Sequence, residues 1–211
     1  MTRVLVLGAG GQIARHVVTM LDGDADVSLT LFARSPGKLP QPPASAKIVQ
    51  GDVLDSTKLA GAVKGQDIVY ANLTGDNLDA QAKGVIASMQ AAGVKRLIFV
   101  LALGIYDEVP GKFGEWNNAT IGEDLKPFRR AADAIEASKL DYTIIRPAWL
   151  TDEDEVDYEV TERNARFKGT IVSRKSVADL IVKMIRSPSL HLRGNVGVNK
   201  PGSDGDKPYF M

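Results

Sequence analysis

Residues 3–17 read RVLVLGAGGQIARHV. An apolar run from Val4 to Leu7 breaks into three glycines, Gly8, Gly10 and Gly11, and resumes with helical spacing. Arg3–Leu7 reads as a buried strand and Gln12–Leu21 as a helix, with Ile13, Val17, Met20 and Leu21 near one face. A helix that starts directly behind a parallel strand presents unbonded N–H groups and the positive end of its dipole at the turn. That is a site for an anion, provided the backbone can approach closely. Glycine permits the approach, because it has no Cβ and tolerates positive φ. Gly8, Gly11 and Ala14 match G-x-x-G-x-x-A. Ile13 stands where G-x-G-x-x-G would end, and no G-K-[ST] of a phosphate-binding P-loop follows. In the first strand–helix–strand unit, the turn reads as a dinucleotide site built on Gly8, Gly10, Gly11, Gln12 and Ile13.

Outward from this turn, β-rich runs and helical patterns alternate. Strands are expected at Ser28–Ala33, Lys47–Gln50, Asp67–Ala71, Arg96–Leu101, Tyr142–Arg146 and Thr170–Val172. Helices are expected at Ser56–Val63, Leu78–Ala92, Phe128–Ser138 and Ser176–Arg186, with Gly93 as a C-cap and Ser176 with Asp179 as a capping box. This order predicts an α/β fold, a doubly wound parallel sheet of Rossmann-like type. The expectation is a single dinucleotide-binding domain over 1–211, with residues from about 147 onward forming a small lobe on the substrate side. Gly104–Leu125 reads as a long glycine-containing insertion. Thr151–Thr161 carries Asp152, Glu153, Asp154, Glu155, Asp157 and Glu159, and reads as a solvated loop or as a flap over the site. The tail, Pro201–Met211, reads as a surface excursion.

Composition narrows the chemistry. Twenty-six basic and 26 acidic residues give a formal net charge of zero, with no basic stripe of the kind nucleic acids select. There is no cysteine, which removes disulfides, thiol catalysis and thiolate metal sites. Only two histidines are present, so no metal site is expected. No secretory leader and no membrane-spanning run is legible, and the expected location is the cytoplasm.

The end of the second strand selects the cofactor. An NAD site places Asp or Glu there, against the ribose hydroxyls. Here the chain reads Leu31-Phe32-Ala33-Arg34-Ser35, with Lys38 nearby. A guanidinium can pair a 2′-phosphate with two parallel hydrogen bonds, so NADP(H) is expected over NAD(H), with Arg34 and Ser35 at the 2′ position.

The chain resembles the atypical short-chain dehydrogenase/reductase group, of the NmrA-like and biliverdin/flavin-reductase-like kind. The likeness spans roughly residues 3–186 and rests on VLVLGAGGQIARHV, LFARSPGKL, GDVLD, YANLTG, RLIFVLALGIY and SKLDYTIIRPAWL. It implies that Asp52 and Val53 contact adenine, that Asn72, Leu73 and Thr74 line the ribose and phosphates, and that Pro147, Ala148 and Trp149 border the nicotinamide. Relatives of the wider family use Ser, Tyr and Lys, the last two as Y-x-x-x-K. That motif is absent: four residues after Tyr70, Tyr106, Tyr142 and Tyr158 stand Thr74, Pro110, Arg146 and Glu162. The usual Tyr and Lys places align with Asp124 and Phe128, and Leu101-Ala102-Leu103 stands where a serine is common.

Two readings follow. One is an NADPH-dependent oxidoreductase that passes hydride to a small planar acceptor such as a flavin or quinone. Tyr106 would then be the proton donor or substrate contact, and Phe113, Trp116 and Asn117, with Trp149, a wall for the acceptor. The other is a non-catalytic NADP(H)-sensing regulator that acts through a protein partner. A sugar-nucleotide epimerase shares the fold but needs the missing tyrosine and a larger C-terminal domain.

Overall fold

A computed structural model describes all 211 residues. The strands are β1 (Thr2–Leu7), β2 (Val27–Ala33), β3 (Lys47–Gln50), β4 (Ile68–Ala71), β5 (Arg96–Val100), β6 (Asp141–Pro147), β7 (Trp149–Thr151), β8 (Glu159–Glu162), β9 (Ile171–Ser173) and β10 (Gly194–Asn199). The helices are α1 (Gln12–Met20), α2 (Ser56–Val63), α3 (Leu78–Ala92), α4 (Gly111–Ile121), α5 (Leu125–Glu136) and α6 (Arg174–Arg186). Eight strands make one sheet in the order β3-β2-β1-β4-β5-β6-β10-β8, and β7 pairs with β9 beside it. Every pairing is parallel except β8 against β10. This is the expected doubly wound sheet, and its order reverses between β1 and β4.

Both faces are covered, which is why the strands read as continuous apolar runs. Val4, Val6, Leu31, Ile98 and Ile145 pack toward α1 and α6. Leu5, Leu7, Phe32, Val69, Phe99 and Ile144 pack toward α2, α3 and α5. Gly93 ends α3 in the left-handed region at φ 71°, as expected of a glycine C-cap.

Several elements differ from the sequence reading: β7, β8 and β10 are additional strands, α5 begins at Leu125 rather than Phe128, and α4 and α6 depart as well. The insertion after β5 contains α4, although Gly114 lies inside it. A Cβ at Gly114 would fall 2.0 Å from the Val109 carbonyl oxygen, so the glycine permits a tight start to the helix that local propensity argues against. α6 begins earlier than expected and is capped by Ser173, whose Oγ accepts from the Ser176 N–H at 3.0 Å. Asp179 is not a cap: it accepts from the Tyr158 hydroxyl at 2.9 Å and pairs with Lys183 at 2.7 Å. β10, GNVGVN, lacks a strand-forming composition. The Phe167 ring occupies the place where a Gly197 Cβ would stand, 2.5 Å from its nearest ring carbon.

The acidic segment is tethered. Asp152 pairs with Arg174, Asp154 with Lys175, and Glu155 with Lys200 at 2.7 Å, while the Tyr209 hydroxyl donates to Glu153 at 2.7 Å. Residues after Pro147 supply β8 and β10 to the main sheet and the β7–β9 pair at its carboxyl edge. No helix is long and apolar enough to cross a membrane.

Candidate dinucleotide and acceptor site

The turn between β1 and α1 is locked against the chain that follows β4. Gly8 has φ +73°, and a Cβ there would fall 2.2 Å from the Asn72 carbonyl oxygen and 3.3 Å from Leu73 Cδ2. A Cβ at Gly11 would fall 2.0 Å from Asn72 Nδ2. Gly11 caps α1 with an extended backbone and no side-chain bond, leaving the amides of Gly10, Gln12 and Ile13 without backbone acceptors. Gly10 is different: the nearest atom to its missing Cβ is Leu39 Cδ2 at 3.9 Å, so its open side faces away from the protein. Two glycines therefore shape the turn and the third leaves room beside it. Arg15 Nε donates to the Gly10 carbonyl at 3.1 Å and braces the turn.

The adenosine side is built from the ends of β2, β3 and β4. Arg34 is exposed, and its guanidinium forms no hydrogen bond or ion pair, while its carbonyl accepts from Gln50 Nε2 at 3.3 Å. Ser35 follows, exposed, ahead of a single 3-10 turn at Pro36–Lys38. Gly51 lets the Phe32 ring pass 2.4 Å from where its Cβ would stand. That places Asp52 at the edge, exposed, with Oδ1 accepting from the Leu54 N–H at 2.9 Å and Oδ2 unused. Val53 is buried beneath it. Leu73 is half-buried against Gly8, and the exposed Thr74 accepts through its carbonyl from Gln81 Nε2 at 3.0 Å. Gly8, Arg34, Asp52, Asn72 and Thr74 thus stand along one carboxyl edge.

On the other side of the switch point, Pro147 ends β6 and accepts at its carbonyl from Leu103 at 3.2 Å. Buried Ala148 bonds to Val198, and Trp149 starts β7. The aromatic residues meet here. Phe113 stacks on Trp116 with ring centroids 6.1 Å apart, and Trp116 tilts against Trp149 at 4.9 Å. Phe113 is buried, and the two indoles are half-buried. The Trp149 indole N–H donates to Asn117 Oδ1 at 2.9 Å.

Tyr106 is not brought to this edge. Its hydroxyl donates to Glu136 at 3.1 Å and accepts from Asn195 Nδ2 at 2.8 Å. Asn195 pairs with Ile144, three residues short of Pro147, which places it about 10 Å below the edge. Glu136 is the last residue of α5, a helix that runs back toward the opposite edge. Arg163 and Arg129 lie 4.2 and 4.9 Å from the ring centroid. Burial, and then the Glu136 charge, pushes the phenol up to about 12, the wrong direction for a proton donor near neutrality. The expected catalytic role is corrected accordingly: Tyr106 is a bracket between α5 and β10. Tyr106→Phe should lower stability by about 1 kcal/mol, for the lost hydrogen bonds, without altering NADPH affinity; urea unfolding and calorimetry read the two effects.

Sequence reasoning missed the group that anchors Tyr106. Arg146, fully buried on β6, pairs with Glu108 and donates through Nε to Asn195 Oδ1 at 2.7 Å. The Glu108 carboxylate also accepts from the N–H groups of Gly104 and Tyr106, both at 3.0 Å. A charged residue inside the apolar strand YTIIRP was the only sequence signal, and nothing local named its partner. Asn117, expected with Phe113 and Trp116 at the acceptor wall, takes its orientation from Trp149, a partner that nothing local named.

The NAD(P)H-binding family model matches residues 8–188. A Rossmann-fold NAD(P)-binding family protein from Shigella flexneri is 59% identical, with all of both chains covered and a TM-score of 0.87. A short-chain dehydrogenase/reductase from Veillonella parvula, solved in complex with NADP, is 26% identical over 99% of each chain, with a TM-score of 0.91. The YhfK protein of Bacillus subtilis, whose name describes an uncharacterized sugar epimerase, is 33% identical over 72% of this chain and 73% of its own length. The chain belongs to the NAD(P)H-binding family, in keeping with the short-chain reductase likeness carried by its glycine turn and its IIRPAWL strand end.

Proposed function

We propose that the protein is an NADPH-dependent oxidoreductase that serves a small planar acceptor without a Ser-Tyr-Lys triad. The observation that carries this reading is the Phe113–Trp116–Trp149 wall at the carboxyl end of β6, in line with an open glycine turn and an unpaired arginine. The residues fit the dinucleotide. Gly10 leaves open space for a pyrophosphate, and the free amides of Gly10, Gln12 and Ile13 would hold it. Arg34 and Ser35 would take the 2′-phosphate, and Asp52 with Val53 the adenine. Asn72, Leu73 and Thr74 would line the ribose, and Pro147 with Ala148 would border the nicotinamide. When bound, the nicotinamide supplies the hydride. The protein's own part is to align the acceptor against the wall and to exclude water from it.

Calorimetric titration with NADPH and NADH, side by side, tests the cofactor half. NADPH should bind more tightly. Arg34→Ala should weaken NADPH by about 1–3 kcal/mol and leave NADH nearly unchanged, because only the 2′-phosphate distinguishes them. Equal losses for both would remove Arg34 from that role. Loss of absorbance at 340 nm with menadione or flavin mononucleotide tests the acceptor half. Tight binding without turnover on any planar acceptor would favour the sensor reading.

A further inference from the structure

We propose that Asn117 is the hydrogen-bond donor that receives the acceptor's oxygen, and that the acceptor is therefore a planar conjugated carbonyl compound, of the quinone type. The inference rests on the planar-acceptor reading above and narrows it. Asn117 is 2% exposed on α4, and its carbonyl oxygen is taken by the Trp149 indole N–H at 2.9 Å. An indole nitrogen can only donate, so it dictates which way the amide faces: oxygen to Trp149, nitrogen away from it. Nδ2 has no hydrogen-bond partner within the protein. It is not fully enclosed, so a small part of its surface stays accessible. The nitrogen lies against Gly104, 2.6 Å from where a Cβ of that residue would stand. Gly104 follows directly on Leu101-Ala102-Leu103, the stretch with no serine to offer. A buried donor thus reaches the vacant place from α4, between the indole wall and the end of β5.

The chemistry balances without a protein acid. One quinone, one NADPH and one proton become hydroquinone and NADP⁺. Negative charge that develops on the carbonyl oxygen is met by the amide N–H, which keeps its hydrogen, and water supplies the proton.

Both tryptophans of the chain, Trp116 and Trp149, belong to the wall, so tryptophan fluorescence reports this site alone. The experiment titrates NADP⁺-saturated protein with menadione, read by fluorescence quenching. 2-Methylnaphthalene, the same skeleton without the two oxygens, is read by its displacement of menadione. Asn117→Leu should weaken menadione about fivefold to tenfold, the loss expected for one buried hydrogen bond, and leave 2-methylnaphthalene and NADP⁺ within about twofold. If the leucine variant misfolds, Asn117→Asp carries the same test, since it keeps an acceptor for the Trp149 indole. Unchanged menadione affinity, or equal losses for both ring compounds, would overturn the donor role while leaving a planar-acceptor site in place. A wild-type protein that binds neither ring compound would overturn the planar-acceptor reading, and this inference with it.

Discussion

Glu108→Ala should melt on the order of 10 °C below the wild type, for a loss of about 3–5 kcal/mol. The substitution leaves Arg146, a guanidinium with no exposed surface, without its counter-charge. Arg146 has little to fall back on. Asn195 takes only Nε, and Nη2 already has no partner. A buried charge stripped of its pair costs far more than the pair contributes net, because desolvation is then uncompensated. The same carboxylate holds the Gly104 and Tyr106 amides, so the loop behind β5 should loosen as well. Thermal unfolding followed by circular dichroism checks the first effect, and amide exchange at residues 104–106 the second. Removing both charges, with Glu108→Met and Arg146→Met together, should recover much of the loss. A single Glu108→Ala variant that melts within about 2 °C of the wild type would mean that the ion pair does not hold β6 to this loop.

Gly8→Ala should weaken NADPH by more than about tenfold and cost about 2 kcal/mol of stability. At φ +73° an L-residue is strained, and the new methyl would fall 2.2 Å from the Asn72 carbonyl oxygen. That carbonyl belongs to backbone whose amide bonds to Leu7 at 3.0 Å, so it cannot retreat without breaking the edge where β1 meets β4. The turn would shift, carrying the amides of Gly10, Gln12 and Ile13 out of line. Gly10→Ala is the informative contrast. Its methyl meets only Leu39 at 3.9 Å, so stability should hold, and any loss of NADPH affinity reports the close approach of the ligand. Calorimetry and urea unfolding on the two variants separate these effects. Equal, small changes at both positions would mean that the turn is not the pyrophosphate site.

What was legible in the sequence was local. An apolar run, a glycine turn and a helical repeat are decided by sterics and hydrogen bonding within a few residues, so β1, the turn and α1 could be read directly. Gly93 stops α3 for the same reason. Parallel strands joined by helices then leave few topologies, and the residues at consecutive strand ends had to share one edge. Arg34 could be placed there because its position depends only on where β2 stops.

The remainder depended on partners far along the chain. In β10, Gly197 leaves the space that the Phe167 ring, 30 positions earlier, fills. Tyr106 had the residue type of a proton donor. Glu136 and Asn195, 30 and 89 positions away, turned it into a bracket instead. Asn117 could be grouped with Phe113 and Trp116 from the sequence, but only Trp149, 32 positions on, set which way its amide faces. The sequence by itself determined the six parallel strands β1 to β6, their carboxyl edge and the residues along it, because strand and turn energetics are short-ranged. Only the tertiary structure decided which polar side chains are spent on packing and which still have a bond to give, because burial and pairing belong to contacts between distant segments.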